Sequence, residues 1–196
     1  DQKFGPSAIR SIGNAVSKLS DNKMLYTADH ELIYSFLKIQ NDLLKTQNFP
    51  FDVIEIALKI LAEPDMPINL YNQEWIDNII DLLSKISNEF FQEKKTQIHN
   101  LFSIFRHFSF VVQQINLPDA SLYKLISLSL QAYFHSASSP SLQTASCSLL
   151  TSMFKKHSSV RKDIIIDFFE TVEKNQGCSK YVLFPQNIRK SISASS

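Results

Sequence analysis

Apolar side chains return every three or four residues along nearly the whole chain, and that period leaves little except α-helix to fold into. In "YNQEWIDNIIDLLSKISNEFF", Trp75, Ile76, Ile79, Leu83, Ile86 and Phe90 fall on one helical stripe. "TQIHNLFSIFRHFSFVVQQI" does the same with Ile98, Leu101, Phe105, Phe108, Val112 and Ile115. Its Phe102, Ile104 and Val111 widen the stripe, as expected of a helix sandwiched between neighbours. "DHELIYSFLKIQNDLL", "FDVIEIALKIL", "SLYKLISLSLQAYF", "SLQTASCSLLTSMF" and "VRKDIIIDFFETV" bring the expectation to about seven helices. No stretch reads convincingly as strand.

The joints carry helix punctuation. Asp29 and Asp119 suit N-caps, where a carboxylate accepts from the first free backbone N–H groups. Pro50, Pro118 and Pro140 stand at or just before helix starts, where a missing N–H costs nothing. "EPDMP" (63–67) and "SASSPS" (136–141) read as loops. Helices joined by such short links pair as antiparallel hairpins, and a run of hairpins predicts an all-α, HEAT-like α-solenoid. An ordinary helical bundle is the competing arrangement. Ser127, Ser129, Ser146, Ser148 and Ser152 lie inside predicted helices although serine is a middling helix former. Packing between layers must hold those helices.

Composition excludes several chemistries. Gly5, Gly13 and Gly177 are the only glycines, so no P-loop, dinucleotide fingerprint or nucleophile elbow can be built. Cys147 and Cys178 are too far apart for a C-x-x-C pair and read as reduced thiols, Cys147 in the core. His30-Glu31 opens like a zinc-helix motif, but Tyr34 occupies the place of its second histidine. His99, His107, His135 and His157 form no ligand set at helical spacing, and Asp77 and Asp81, one turn apart, have no pocket signal around them. No catalytic residue, metal or cofactor is expected, and the chain reads as a non-enzyme. The first residues lack a signal-peptide apolar region and no run is long enough to span a membrane, so an intracellular, soluble protein is expected. The absence of an initial Met and the ending "SISASS" suggest a piece cut from something longer.

The net charge of +1 conceals a division. Residues 1–93 hold 8 Lys/Arg against 14 Asp/Glu, whereas 94–196 hold 12 against 5. The basic excess gathers in "KKHSSVRKDIII" (155–166), where Lys155, Lys156, Arg161 and Lys162 meet at one turn. Such a cluster can hold phosphates through counterion release. Cations at a helix C-terminus also favour the negative end of the helix dipole, which makes a solvated structural turn the competing reading. Lys124 and Lys180 are candidate neighbours. The patch has no interleaved aromatics, so any nucleic-acid contact is expected with the duplex backbone and not with particular bases.

Two blocks carry a family resemblance. "SLQTASCSLLTSMFKKHSSVRKDIIIDFFETV" looks like a HEAT hairpin: a helix with L-Q-x-x-A-x-x-L-L, a basic turn, V-R, and an apolar second helix. "ALKILAEPDMPINLYNQEWIDNIIDLL" (57–83) resembles a helix, an M-P loop and a helix opening on Tyr. In order and spacing the two are similar to the Nipped-B/adherin family, the large subunit of the cohesin loader, across roughly 57–175. Where animal members carry a longer basic insertion this chain has only "QEKK" (92–95).

The resemblance implies a non-enzymatic helical-repeat protein of the nucleus, on chromatin. It would help place the cohesin ring on duplex DNA and stimulate the ring's ATPase, with ring subunits and a smaller loader subunit as partners. It also implies that Arg161 ties neighbouring repeats. The alternative is a HEAT-type transport or scaffold adaptor that binds peptides. By domain, 1–50 is a helical segment matching no family, 51–175 HEAT-like repeats, and 176–196 a loop or linker.

Overall fold

The computed structural model describes residues 6–22, 24–44, 51–64, 66–93, 98–135 and 138–175. Its helices are α1 (Pro6–Asp21), α2 (His30–Leu44), α3 (Phe51–Leu61), α4 (Gln73–Glu93), α5 (Ile98–Gln114), α6 (Asp119–Phe134), α7 (Pro140–Lys156) and α8 (Arg161–Asn175). Among the described residues there is no strand. The fold is therefore all-α, with one helix more than the seven expected. The addition is α1 ("PSAIRSIGNAVSKLSD"), where Gly13 sits mid-helix and weakens the helical reading of the sequence.

The helices form two layers. In one, α1 packs on α3, α3 on α5 and α5 on α7; in the other, α2 packs on α4, α4 on α6 and α6 on α8. The odd helices begin at residues 6, 51, 98 and 140, steps of 45, 47 and 42. The even ones begin at 30, 73, 119 and 161, steps of 43, 46 and 42. A helical hairpin recurring at that interval has the length of a HEAT or armadillo repeat, and stacking buries the face that one hairpin cannot cover alone. The array is solenoid-like and already under way at α1, N-terminal to residue 51.

A continuous apolar core runs between the layers. Trp75, Phe105, Phe108 and Leu149 are buried in it, as their stripes require. Phe154 is an exception: it is only half-buried and has the Arg161 guanidinium 5.7 Å above its ring. Cys147 is also corrected. The buried stripe of α7 runs through Leu142, Ala145, Ser146, Leu149, Leu150, Ser152 and Met153, so Cys147 points the other way and is exposed. Ser129 and Ser146 fill buried positions by donating to the carbonyls of Leu125 and Leu142, 2.7 and 2.8 Å away, and Ser152 accepts from Gln113 at 2.9 Å. Each satisfied hydroxyl can sit in the core at little cost, and its small volume lets helices approach closely. Ser127 and Ser148 face solvent.

Polar ties join successive hairpins. Asn78 donates to Asn41 at 2.9 Å, Ser121 to Asp77 at 2.5 Å, and Lys124 pairs with Asp81. Asp77 and Asp81, neighbours on α4, are thus both held by α6. Asp29 is the expected N-cap, accepting from the Glu31 N–H at 2.9 Å. Asp119 is not a cap: Pro118 occupies that position and Asp119 is the first helical residue. Its carboxylate instead accepts from Ser159 at 2.8 Å.

One tie closes the loop after α3. The Tyr71 hydroxyl shares its proton between the Leu61 carbonyl, 2.7 Å away, and the Gln114 amide oxygen, while Gln114 donates to the Ala62 carbonyl at 3.1 Å. Tyr71 and the far end of α5 thereby satisfy the last carbonyls of α3. Burial pushes the Tyr71 pKa up to about 12. Tyr71→Phe is expected to cost roughly 1–2 kcal/mol in denaturant unfolding, because Gln114 loses its partner. The sign of the pH effect follows: a phenol with a raised folded pKa stabilises fully below pH 10, and that part is lost as the pH climbs towards about 12. The Phe variant should show a flatter profile across that window.

Candidate nucleic-acid interface

The basic turn lies where α7 gives way to α8. The chain passes from Lys156 through His157 and a single turn of 3₁₀-helix at Ser158–Val160, and α8 starts at Arg161. Three anchors fix this turn. His157 and Val160 are buried, Ser159 is tied to Asp119 on α6, and Tyr123 of α6 donates to Asp163 in the first turn of α8 at 2.6 Å. That hydrogen bond is the main cause of a raised Tyr123 pKa. Burial pushes the His157 pKa down, and a hydrogen bond with the Val112 backbone partly opposes this. His157 is neutral at pH 7 and acts as a plug under the turn.

The four cations divide into two kinds. Arg161 donates from Nε to the Phe154 carbonyl at 2.7 Å and from an Nη to the Lys155 carbonyl at 3.0 Å. The His157 N–H takes the Met153 carbonyl at 2.9 Å, so three of the last carbonyls of α7 are satisfied. Arg161 is thus a C-terminal clasp within its own hairpin. It does not tie neighbouring repeats, because its guanidinium is already engaged with the helix that precedes it. Lys155, Lys156 and Lys162 are exposed, and none is in an ion pair among the described residues. Lys124 is drawn off to Asp81, and Lys180 lies outside the described residues. Lys155 and Lys156 end α7 and Lys162 begins α8, all exposed and outside any ion pair among the described residues, with Asp163 in the first turn of α8 beside them.

Sequence reasoning missed a concave feature elsewhere in the array. A groove of about 780 Å³ runs between α1, α3 and α5, lined by Asp21, Glu55, Lys59, Glu63, Arg106 and Phe110 among others. It could not be read from spacing because its walls come from three helices whose starts lie 45 and 47 residues apart in the chain. Lys59 pairs with Asp21 at 3.5 Å, and Ser20 donates to Glu63. His107 sits in the wall with its pKa pushed down to about 4, first by burial and then by Lys59 and Arg106. A base held neutral in the fold gives stability that is complete above pH 6.5 and lost as the pH falls towards about 4. Allowing for its partial exposure, His107 should account for about 1–2 kcal/mol of that loss. Urea midpoints between pH 6.5 and 5 should fall less in His107→Gln than in the parent. His30 is exposed at the start of α2, and the side chain of His99 lies outside the described set.

Among the described residues no helix is long and apolar enough to cross a membrane. No family model, curated protein or solved structure matches this chain.

Proposed function

We propose that this chain is a segment of a cohesin-loading factor, a helical-repeat scaffold that works in the nucleus on chromatin and performs no chemistry of its own. In this reading it helps to place the cohesin ring on DNA for sister-chromatid cohesion. It would also contribute to stimulating the ring's ATPase, beside ring subunits and a smaller loader subunit. One observation carries the reading: the two blocks that resemble the Nipped-B/adherin family coincide with structural hairpins. Block 57–83 runs from the middle of α3 through the loop held by Tyr71 into α4, and the second block is α7, the basic turn and α8. Lys155, Lys156 and Lys162 are the groups assigned to duplex phosphates, and Arg161 is the clasp that holds their turn in shape.

The test is retention of purified cohesin ring subunits and of the smaller loader subunit on the immobilised chain, with duplex binding measured over a salt series in parallel. Retention of either protein partner, together with salt-dependent binding to arbitrary duplexes, is the expected result. The groove between α1, α3 and α5 favours the adaptor reading, since Phe110 and mixed charges could receive a peptide. Peptide capture with neither cohesin retention nor duplex binding would replace the first reading with the second.

A further inference from the structure

The groove between α1, α3 and α5 has α3 as its floor: that helix packs between the other two, and seven of its eleven residues are buried. The α1 wall is low in bulk, with Gly13, Asn14 and Ser17. One end of the groove is acidic, lined by Asp52 and Glu55 from the first half of α3. The other end carries the exposed Phe110 beside Ala62; Gln114, one turn beyond Phe110, donates to the Ala62 carbonyl at 3.1 Å. Arg106 is exposed one turn before Phe110. Four carboxylates, Asp21, Asp52, Glu55 and Glu63, outnumber Lys59 and Arg106, and His107 is neutral at pH 7. Lys59 is taken by Asp21, and Glu63 accepts from Ser20. Asp52, Glu55 and Arg106 are in no ion pair among the described residues. Asp52, in the first turn, complements the helix dipole, but Glu55 lies a turn further on, where that effect has faded.

We propose that this groove binds an extended segment of a partner protein in which a lysine or arginine and an apolar residue stand about four positions apart. The cation meets Asp52 and Glu55, the apolar side chain covers Phe110, and Arg106 donates to backbone carbonyls of the segment between them. Spacing selects this occupant. Ala62, beside Phe110, lies about 10 Å along α3 from Glu55 and about 15 Å from Asp52. Residues four apart on one face of an extended segment are separated by about 13 Å. Hydrogen bonding agrees. The surrounding helices have spent their own backbone groups, so the segment's carbonyls need side-chain donors, and a guanidinium outside any ion pair supplies them. A helical ligand would need a continuous apolar strip, which Glu55, Lys59 and Arg106 interrupt here. The carboxylate excess repels phosphate, so the groove and the basic turn call for different partners.

Fluorescence anisotropy on the full chain tests this with labelled synthetic peptides that carry lysine, three small polar residues and phenylalanine, in that order and reversed. Saturable binding of at least one order is expected. Asp52→Asn/Glu55→Gln and Phe110→Ala should each weaken it roughly ten-fold while keeping the circular dichroism of the parent. Lys155→Glu/Lys156→Glu should leave peptide affinity unchanged, which tests the groove independently of the duplex assignment. No saturable binding of either peptide up to about 1 mM overturns the proposal. So does affinity that survives either groove variant, or equal binding of a peptide with glutamate in place of lysine. A concentration-dependent dimer that Phe110→Ala breaks would assign the groove to a second copy and overturns it as well.

Discussion

Phe108→Ala is expected to lower the melting temperature by about 10 °C. Phe108 is completely buried at the middle of α5, which packs on α3 on one side and α7 on the other. Truncating a core phenylalanine costs roughly 3–5 kcal/mol, from lost transfer energy and the cavity left behind. For a chain of this size each kcal/mol is worth about 2–4 °C. The loss falls on two interfaces at once, because a repeat array is held by nearest-neighbour contacts. Phe110→Ala supplies the contrast two residues away. Its ring is 45% exposed, and the same chemical truncation should stay within about 0.5 kcal/mol. Thermal melts of the two variants check the register of α5 directly, and equal melting temperatures would mean that the stripe is placed on the wrong face.

The helices themselves were legible because seven of them carry wide apolar stripes. α1 was not, and Gly13 shows why. A Cβ at that position would come 2.6 Å from the flexible tip of Ile56, its Cδ1, so Gly13 lies at the contact between α1 and α3. Propensity reasoning reads that glycine as a break, whereas packing reads it as a contact. The same limit explains Cys147 and the serines. Ranking residues by apolarity puts the thiol inside, yet the phase of α7 is set by Leu142, Leu149 and Met153, and it is Ser146 that this phase buries. The repeat interval escaped the sequence too. What recurs every 42–47 residues is the phase of burial and not residue identity, and it emerges only once helix starts are known. At the basic turn, composition was enough to gather the four cations. Separating Arg161 from the lysines needed the geometry of the carbonyls at the end of α7.

That separation gives the second large effect. In Lys155→Glu/Lys156→Glu, duplex affinity should fall to a similar extent for every sequence tried, since phosphates and not bases are the partners. Two lost phosphate contacts remove close to two units of log–log salt slope. The parent should therefore lose about ten-fold more affinity than the variant between roughly 50 and 200 mM salt. Folding should hardly change, because both lysines are exposed and in no ion pair among the described residues, and such charges contribute only about 0–1 kcal/mol each. Arg161→Ala should behave in the opposite way. It uncovers the Phe154 and Lys155 carbonyls and removes the cation from the Phe154 ring, a loss of roughly 1–2 kcal/mol in stability, while the salt slope stays near that of the parent. Urea unfolding and a salt titration on the same three proteins separate the two roles. If the lysine variant binds duplex DNA as the parent does, the lysines serve only the helix dipole and solubility, and the phosphate assignment falls.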